Sequence, residues 1–529
     1  MQLVRKLVVL TTTSLVLAGC QTNPNISETG VTDSGSLSLV QEVKVTDSAD
    51  KTFSVPSKTD TAKDLWQLTR TNMALDLDQD QKRLETQFKW YLKHPQYMQR
   101  VTTRAGRYYH YILGEVLKRD MPAEIALLPI IESAYDPFAY SHGRAAGPWQ
   151  FIPGTAKHFG LKSSWWYDGR RDIVASTDAA LTYLQQLHKR FGDWELALAA
   201  YNCGGGNVSK AIRKNKKKGL PTDFWSLPLP KETRAYVPKL LAVSKLIRDA
   251  EQHNIALAKI DNQPVFEIVT LDSQIDLAQA AELADISTQE LYQLNPGFNR
   301  WATDPEGPHR LLIPVETVDS FNQKLAQLPA EQRVNWTRYK IRSGDSISTI
   351  ARRHNTTTAV IRSANKLSNT NIRAGKYLLI PTAKNQSSDY VLSKTQRFNR
   401  KQNQLAQSNR DKISYQVQPG DSFWKIARQH KVSVRQLASW NQMAPGDALR
   451  SGQSLVIWKA NSSANLSPTE KQMIRRIGYS VRSGDSLSVI AGKFRVSVKD
   501  IQRWNKLTGK QYLQPGQKLT LYVDVTNTH

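Results

Sequence analysis

Ile125-Ala126-Leu127-Leu128-Pro129-Ile130-Ile131-Glu132-Ser133 is an aliphatic run that stops on a carboxylate. A carboxylate set among so many apolar side chains loses hydration of its charged form. Its pKa therefore rises towards neutrality, where it can hold and deliver a proton. Upstream, Asp120-Met121-Pro122 marks a helix stop and a restart, with Pro122 suited to the first turn of the next helix. Pro129 leaves two arrangements open: a kinked helix whose last turn carries Glu132, or a helix that ends at Pro129 with Glu132 in the turn beyond. Both place Glu132 at the end of an element.

Outward from this run the pattern is helical and aromatic from about Leu65. Downstream lie Gly147-Pro148-Trp149-Gln150-Phe151, Ala200-Tyr201-Asn202-Cys203-Gly204 and Glu232-Thr233-Arg234-Ala235-Tyr236-Val237. The carboxylate nearest Glu132 in sequence is Asp136, directly before Pro137, where a capping or turn role fits best. Glu132 thus lacks the second carboxylate that most glycosidases use.

The C-terminal half repeats. Ser343-Gly344-Asp345-Ser346, Pro419-Gly420-Asp421-Ser422 and Ser483-Gly484-Asp485-Ser486 each open a segment of identical internal spacing. Seven residues after each Gly stands Ala351, Ala427 or Ala491; thirteen after stands Thr357, Ser433 or Ser497; twenty-one after stands Asn365, Asn441 or Asn505. Each copy reads as a strand, a Gly-Asp-Ser turn into a capped helix, a second helix capped by Thr or Ser, and a closing strand. Ser433 and Gln436 have the spacing of a capping box. A fourth, decayed copy is expected upstream, because Ser287 to Asn295 repeats the step from cap to Asn but lacks the Gly-Asp-Ser turn. The stretches between the clear repeats are rich in Asn, Gln, Ser, Lys and Arg, which predicts flexible linkers.

The chain has 529 residues, enough for several domains, and a formal charge of +26. It begins with Arg5 and Lys6 ahead of a short apolar stretch that ends Leu17-Ala18-Gly19-Cys20, which reads as an export signal and resembles the bacterial lipobox. Lipidation of Cys20 would supply several acyl chains at one residue, enough for stable anchoring. Gln21 in the following position favours the outer membrane by resemblance to enteric lipoproteins. Loss of the signal lowers the charge to +24, and an exported basic protein meets anionic envelope polymers rather than nucleic acid. Cys203 is the only other cysteine, so no intramolecular disulfide is expected, and no His or Cys spacing calls for a metal or cofactor.

Glu132-Ser133, Gly147-x-x-Gln150 and Ala200-Tyr201-Asn202, in this order and spacing, resemble the lytic transglycosylases of the goose-lysozyme-like superfamily, of the membrane-bound murein D type. The repeats resemble LysM peptidoglycan-binding modules. The resemblance implies an α+β multidomain chain: a mainly α-helical lysozyme-like catalytic domain followed by small βααβ LysM modules. The expected divisions are a lipoprotein signal at 1–19, a tether at 20–62, the catalytic domain at 63–260 and a degenerate LysM-like segment at 261–330. LysM modules follow at 337–382, 413–458 and 477–523, with linkers at 383–412 and 459–476.

By the same resemblance Glu132 is the catalytic acid and then base, acting on the bond between N-acetylmuramic acid and N-acetylglucosamine. The muramic acid 6-hydroxyl replaces water as nucleophile, and a 1,6-anhydro ring forms. Ser133 helps hold the site, Gln150 lines the sugar cleft, Tyr201 hydrogen-bonds to or orients Glu132, and Asn202 supports the loop. Tyr236 is a further candidate for the cleft wall. For Trp149, Phe151 and Tyr236, core packing and sugar stacking both remain open. The implied partners are peptidoglycan strands and, through Cys20, the membrane. A water-using muramidase and a non-catalytic wall-binding scaffold are the competing readings.

Overall fold

The computed structural model describes residues 64–408, 410–460 and, apart from 483–484, 495, 506 and 508–512, residues 474–524. The expected signal, Cys20 and the tether lie outside the described residues, as do 461–473 of the expected second linker.

The first part is helical: α1 (Leu65–Thr71), α2 (Lys82–Leu92), α3 (Pro95–Ala105), α4 (Tyr109–Leu117), α5 (Leu128–Ser133), α6 (Pro153–His158), α7 (Ile173–Phe191), α8 (Trp194–Cys203), α9 (Gly205–Lys216) and α10 (Lys231–Arg248). Aspartates start several of them, because a side-chain oxygen can accept from the unpaired amides of a first turn. Asp64, Asp172 and Asp193 accept from the backbone N–H of Gln67, Ala175 and Leu196. Gly192, with φ of 70°, closes α7 in the left-handed conformation that glycine adopts without steric cost. Ile112, Leu113, Leu128, Leu184, Leu240 and Leu241 belong to the buried core among these helices.

The aliphatic run takes neither of its two expected shapes. Ala123–Leu127 forms a 3-10 turn, and Pro129 then sits in the first turn of α5, where its missing N–H leaves no helical bond unmade. Glu132 occupies the last turn of α5, and Ala134 and Tyr135, at φ of 52° and 56°, turn the chain away.

Beyond the helical domain the βααβ unit recurs. The first pairs β1 (Phe266–Thr270) with β2 (Arg310–Pro314) around α11 (Leu277–Leu283) and α12 (Thr288–Leu294), and α13 (Val318–Ala326) packs beside α11. The second pairs β3 (Asn335–Lys340) with β4 (Tyr377–Thr382) around α14 (Ile347–Arg353) and α15 (Thr358–Ala364). A further helix, α16 (Lys394–Ala406), precedes the third unit, which pairs β5 (Arg410–Gln416) with β6 (Ser454–Ala460) around α17 (Phe423–Gln429) and α18 (Val434–Trp440). The last pairs β7 (Ile474–Ser480) with β8 (Lys518–Asp524) around α19 (Leu487–Phe494) and α20 (Val498–Asn505). All four pairs are antiparallel.

The recurring Asn has a structural reason. In each unit its amide nitrogen donates to a carbonyl one turn back in its helix and to a carbonyl of the closing strand, while its oxygen accepts that strand residue's N–H. The strand partners are Leu312 for Asn295, Leu379 for Asn365, Val456 for Asn441 and Thr520 for Asn505. One side chain thus pairs both backbone groups of a closing-strand residue. The Asp of each Gly-Asp-Ser turn accepts from a tyrosine hydroxyl, Tyr339 to Asp345, Tyr415 to Asp421 and Tyr479 to Asp485, and from a backbone amide three residues back. The capping box at Ser433 and Gln436 is present.

Among the described residues of 383–412, expected as a flexible linker, lie α16 and the first residues of β5. The buried side chain of α16 is polar: Gln402 donates to the Trp440 carbonyl at 2.6 Å while accepting from the Trp458 indole at 2.9 Å. Paired amides do there what apolar packing does elsewhere. Tyr390 and Leu392 join the core of the β1–β2 unit, which also takes in Trp166 and Tyr167 of the helical domain. The buried Asp276 marks the start of α11. Its N–H donates to the Arg333 carbonyl at 2.8 Å, and its carboxylate accepts from the Lys384 N–H at 2.9 Å and from the Tyr390 hydroxyl at 2.8 Å.

Candidate active site

α5, the loop 147–151, the end of α8 and the start of α10 enclose a cleft of about 740 Å³, lined by Glu132, Gln150, Tyr201, Asn202 and Tyr236 among others. The loop is held close to the helical body. Gly147 has φ of 82°, and a Cβ there would stand 1.7 Å from the Arg170 carbonyl oxygen, so only glycine fits. The Ser133 hydroxyl donates to the carbonyls of Pro129 and Pro148, at 3.1 and 3.0 Å, which ties the end of α5 to this loop. Ser133 therefore supports the cleft from behind.

Trp149 is fully buried and its indole donates to the Thr177 hydroxyl at 3.0 Å, which settles it as a core residue. Phe151 is also largely buried but reaches the cleft wall. Gln150, at φ of 49°, bends its amide back to donate to the Gly147 carbonyl at 2.8 Å while lining the cleft.

The two tyrosines differ from expectation. Tyr201 does not bond to Glu132; its hydroxyl donates to the Trp149 carbonyl at 2.9 Å and so pins the loop. The group on Glu132 is Tyr236, whose Oη donates to Glu132 Oε1 at 2.5 Å. Asn202 accepts from the Thr233 hydroxyl at 2.8 Å, which joins the end of α8 to the start of α10.

Burial pushes the Glu132 carboxyl up to about 7. The Tyr236 hydrogen bond opposes that rise, the charge of Glu232 adds to it and the charge of Lys239 reduces it. Glu232, Tyr236 and Lys239 are spaced four and three residues apart on α10, so one helix face brings all three to the cleft. That spacing was readable in the sequence for Glu232 and Lys239, which the motif reading passed over. Arg435, on α18 of the third unit, also lines the cleft, and no sequence signal placed it there. Asp136 lies away from the cleft and accepts from the Phe138 N–H, as a turn residue does. Cys203 is a free, half-buried thiol at the cleft edge whose pKa is raised by burial. Among the described residues no cluster of His, Cys, Asp or Glu is arranged to hold a metal ion.

A carboxyl raised to near neutrality in a cleft and repeated βααβ units can be set beside known proteins. The transglycosylase SLT domain family matches residues 114–223, the family described as "Lytic transglycosylase MltD, LysM-like domain" matches 265–330, and the LysM domain family matches 339–381, 415–458 and 479–521. Among curated proteins, an autolysin of Enterococcus faecalis is 32% identical over 35% of this chain and 24% of its own. The solved soluble 70 kDa lytic transglycosylase of Escherichia coli aligns at 20% identity over 33% of this chain and 31% of its own, with a TM-score of 0.24. The membrane-bound lytic murein transglycosylase D of Escherichia coli is 36% identical over 97% of both chains. Matched along nearly its whole length, the chain belongs to the membrane-bound lytic murein transglycosylase D family.

Proposed function

We propose that the protein is a lytic transglycosylase that cleaves the β-1,4 bond between N-acetylmuramic acid and N-acetylglucosamine in peptidoglycan, with Glu132 as acid and then base. The observation that carries this reading is a Glu132 carboxyl raised to about 7 and held by Tyr236 at 2.5 Å in the cleft. Protonated Glu132 gives its proton to the glycosidic oxygen as the bond from that oxygen to C1 breaks. The resulting carboxylate takes the proton of the muramic acid 6-hydroxyl as that oxygen bonds to C1. A 1,6-anhydro ring forms, no water is consumed, and Glu132 ends protonated as it began. Ser133, Gln150, Tyr201 and Asn202 hold the loop and cleft that position the sugars.

The LysM units are proposed to bind the glycan and raise the enzyme's local concentration on its polymer. No helix among the described residues is long and apolar enough to cross a membrane. Attachment is proposed through lipid on Cys20, in the outer membrane and facing the periplasm, consistent with the membrane-bound relative. Mass spectrometry of fragments released from purified peptidoglycan tests the reading, with Glu132→Gln as control. Anhydro ends that vanish in the variant support it; hydrated ends, or no release by the parent, overturn it.

A further inference from the structure

A second cavity, of about 550 Å³, opens beside the cleft, and Ser141 and His142 line both. Its walls come from the helical domain, the β1–β2 unit, α16 and the third unit. Its charges do not balance. Asp168 is already shared between Arg170, at 2.8 Å, and Arg171, at 3.0 Å, and Asp447 is paired with Arg144 at 2.7 Å. Asp136 accepts from the Phe138 amide, which does not neutralise its charge, so the lining carries five Lys and Arg side chains against three carboxylates.

Against these, α16 brings Lys394, Arg397 and Lys401 to the cavity from one face, at spacings of three and four residues. Among the described residues no carboxylate forms a salt bridge with any of the three. Arg397 donates to the Leu392 carbonyl and lies over the Phe138 ring at 4.6 Å, and Lys401 donates to the Ser439 hydroxyl at 3.0 Å. Arg171 is itself buried and its Nε has no hydrogen-bond partner. Burial, and after it the charge of Arg171, push the Arg397 guanidinium down to about 9 against the opposing pull of Asp168 and Asp136, which leaves it charged at neutral pH. A concave site of this size with unmatched cations suits a small polyanion.

In a peptide-bearing strand the lactyl carboxyl of each N-acetylmuramic acid is taken up in the amide bond to its peptide, so the anionic groups are the carboxylates of the peptides. A peptide hanging from a sugar in the cleft would pass the shared rim at Ser141 and His142 directly into this cavity. We propose that the cavity seats that acidic peptide, its carboxylates meeting Lys394, Arg397 and Lys401. The assignment rests on the lytic transglycosylase reading above.

The test uses the full chain on two glycan preparations, one bearing its peptides and one stripped of them by an amidase, which leaves a lactyl carboxylate on the sugar itself and none reaching past the rim. The variants are the double substitution Lys394→Gln with Arg397→Gln, and the single, charge-keeping Arg397→Lys. On peptide-bearing strands the double variant should raise KM roughly 5-fold, with kcat unchanged. On stripped strands it should match the parent, which also shows that it folds, and Arg397→Lys should keep most of the parent's preference for peptide-bearing strands. A double variant that equals the parent on both preparations, or loses equally on both, overturns the cavity assignment while cleavage by the parent leaves the lytic reading standing. A parent that cleaves neither preparation overturns both.

Discussion

Tyr236 on α10 donates its hydroxyl to Glu132 on α5, with Oη 2.5 Å from Oε1. The bond favours the carboxylate form and partly offsets burial, which holds the carboxyl near 7. Tyr236→Phe removes that offset. Because the acid must be protonated, activity falls as pH rises through its pKa, so the alkaline limb of kcat/KM should move to higher pH in the variant. The maximal rate should drop roughly 10- to 100-fold through lost positioning. A limb that moves to lower pH would contradict the assignment.

Glu132 should also register in stability. Its folded pKa of about 7 lies above the reference value of 4.5. The stability it contributes is therefore full below pH 4.5 and is lost as pH rises through 7. Glu132→Gln removes this loss, which is about 3 kcal/mol at pH 8. Thermal melts of the variant should lie above the parent at pH 8 and converge with it at pH 4.5.

Glu232 offers a sharp test of water against the sugar hydroxyl. It is an exposed carboxylate in the same cleft, where a hydrolase would need a base. Glu232→Gln should keep cleavage within about 10-fold and leave the anhydro ends unchanged. Removing its charge should also draw the alkaline limb slightly downward, since Glu232 raises Glu132. Loss of cleavage of the general-base size, together with hydrated ends in the parent, would favour the muramidase mechanism.

Gly147→Ala should destabilise the protein by about 3 kcal/mol or more, because the new Cβ meets the Arg170 backbone and the φ of 82° is strained for alanine. Gly154→Ala, with nothing within 4 Å, is the control and should be neutral or mildly stabilising. Denaturation of the two variants side by side checks the pair.

Much of this was readable from residue order. The helical domain and the βααβ units follow from periodicity and from the repeated turn, cap and Asn positions, which local hydrogen bonds enforce. The chain also brings Glu132, Gln150, Tyr201, Asn202 and Tyr236 to one cleft. The exchange of roles between Tyr201 and Tyr236 was not readable, because both lie within reach of the same region and only the three-dimensional path of the loop shows that Tyr201 meets the Trp149 carbonyl first. The helix at Lys394–Ala406 escaped for another reason. It is held by Gln402 between two tryptophans, and a composition scan registers apolar periodicity but not a satisfied amide. Arg435 reaches the cleft across several hundred residues of sequence, a contact that no local pattern encodes.

Asp276 receives the chain twice, at Arg333 just before β3 and at Lys384 just after β4. The whole unit between those points leaves from and returns to a single residue. In architectural terms it is an insertion hung on a closed doorway, unlike a bead threaded between its neighbours. Its excision with a short splice would remove one LysM unit and leave both jambs in place.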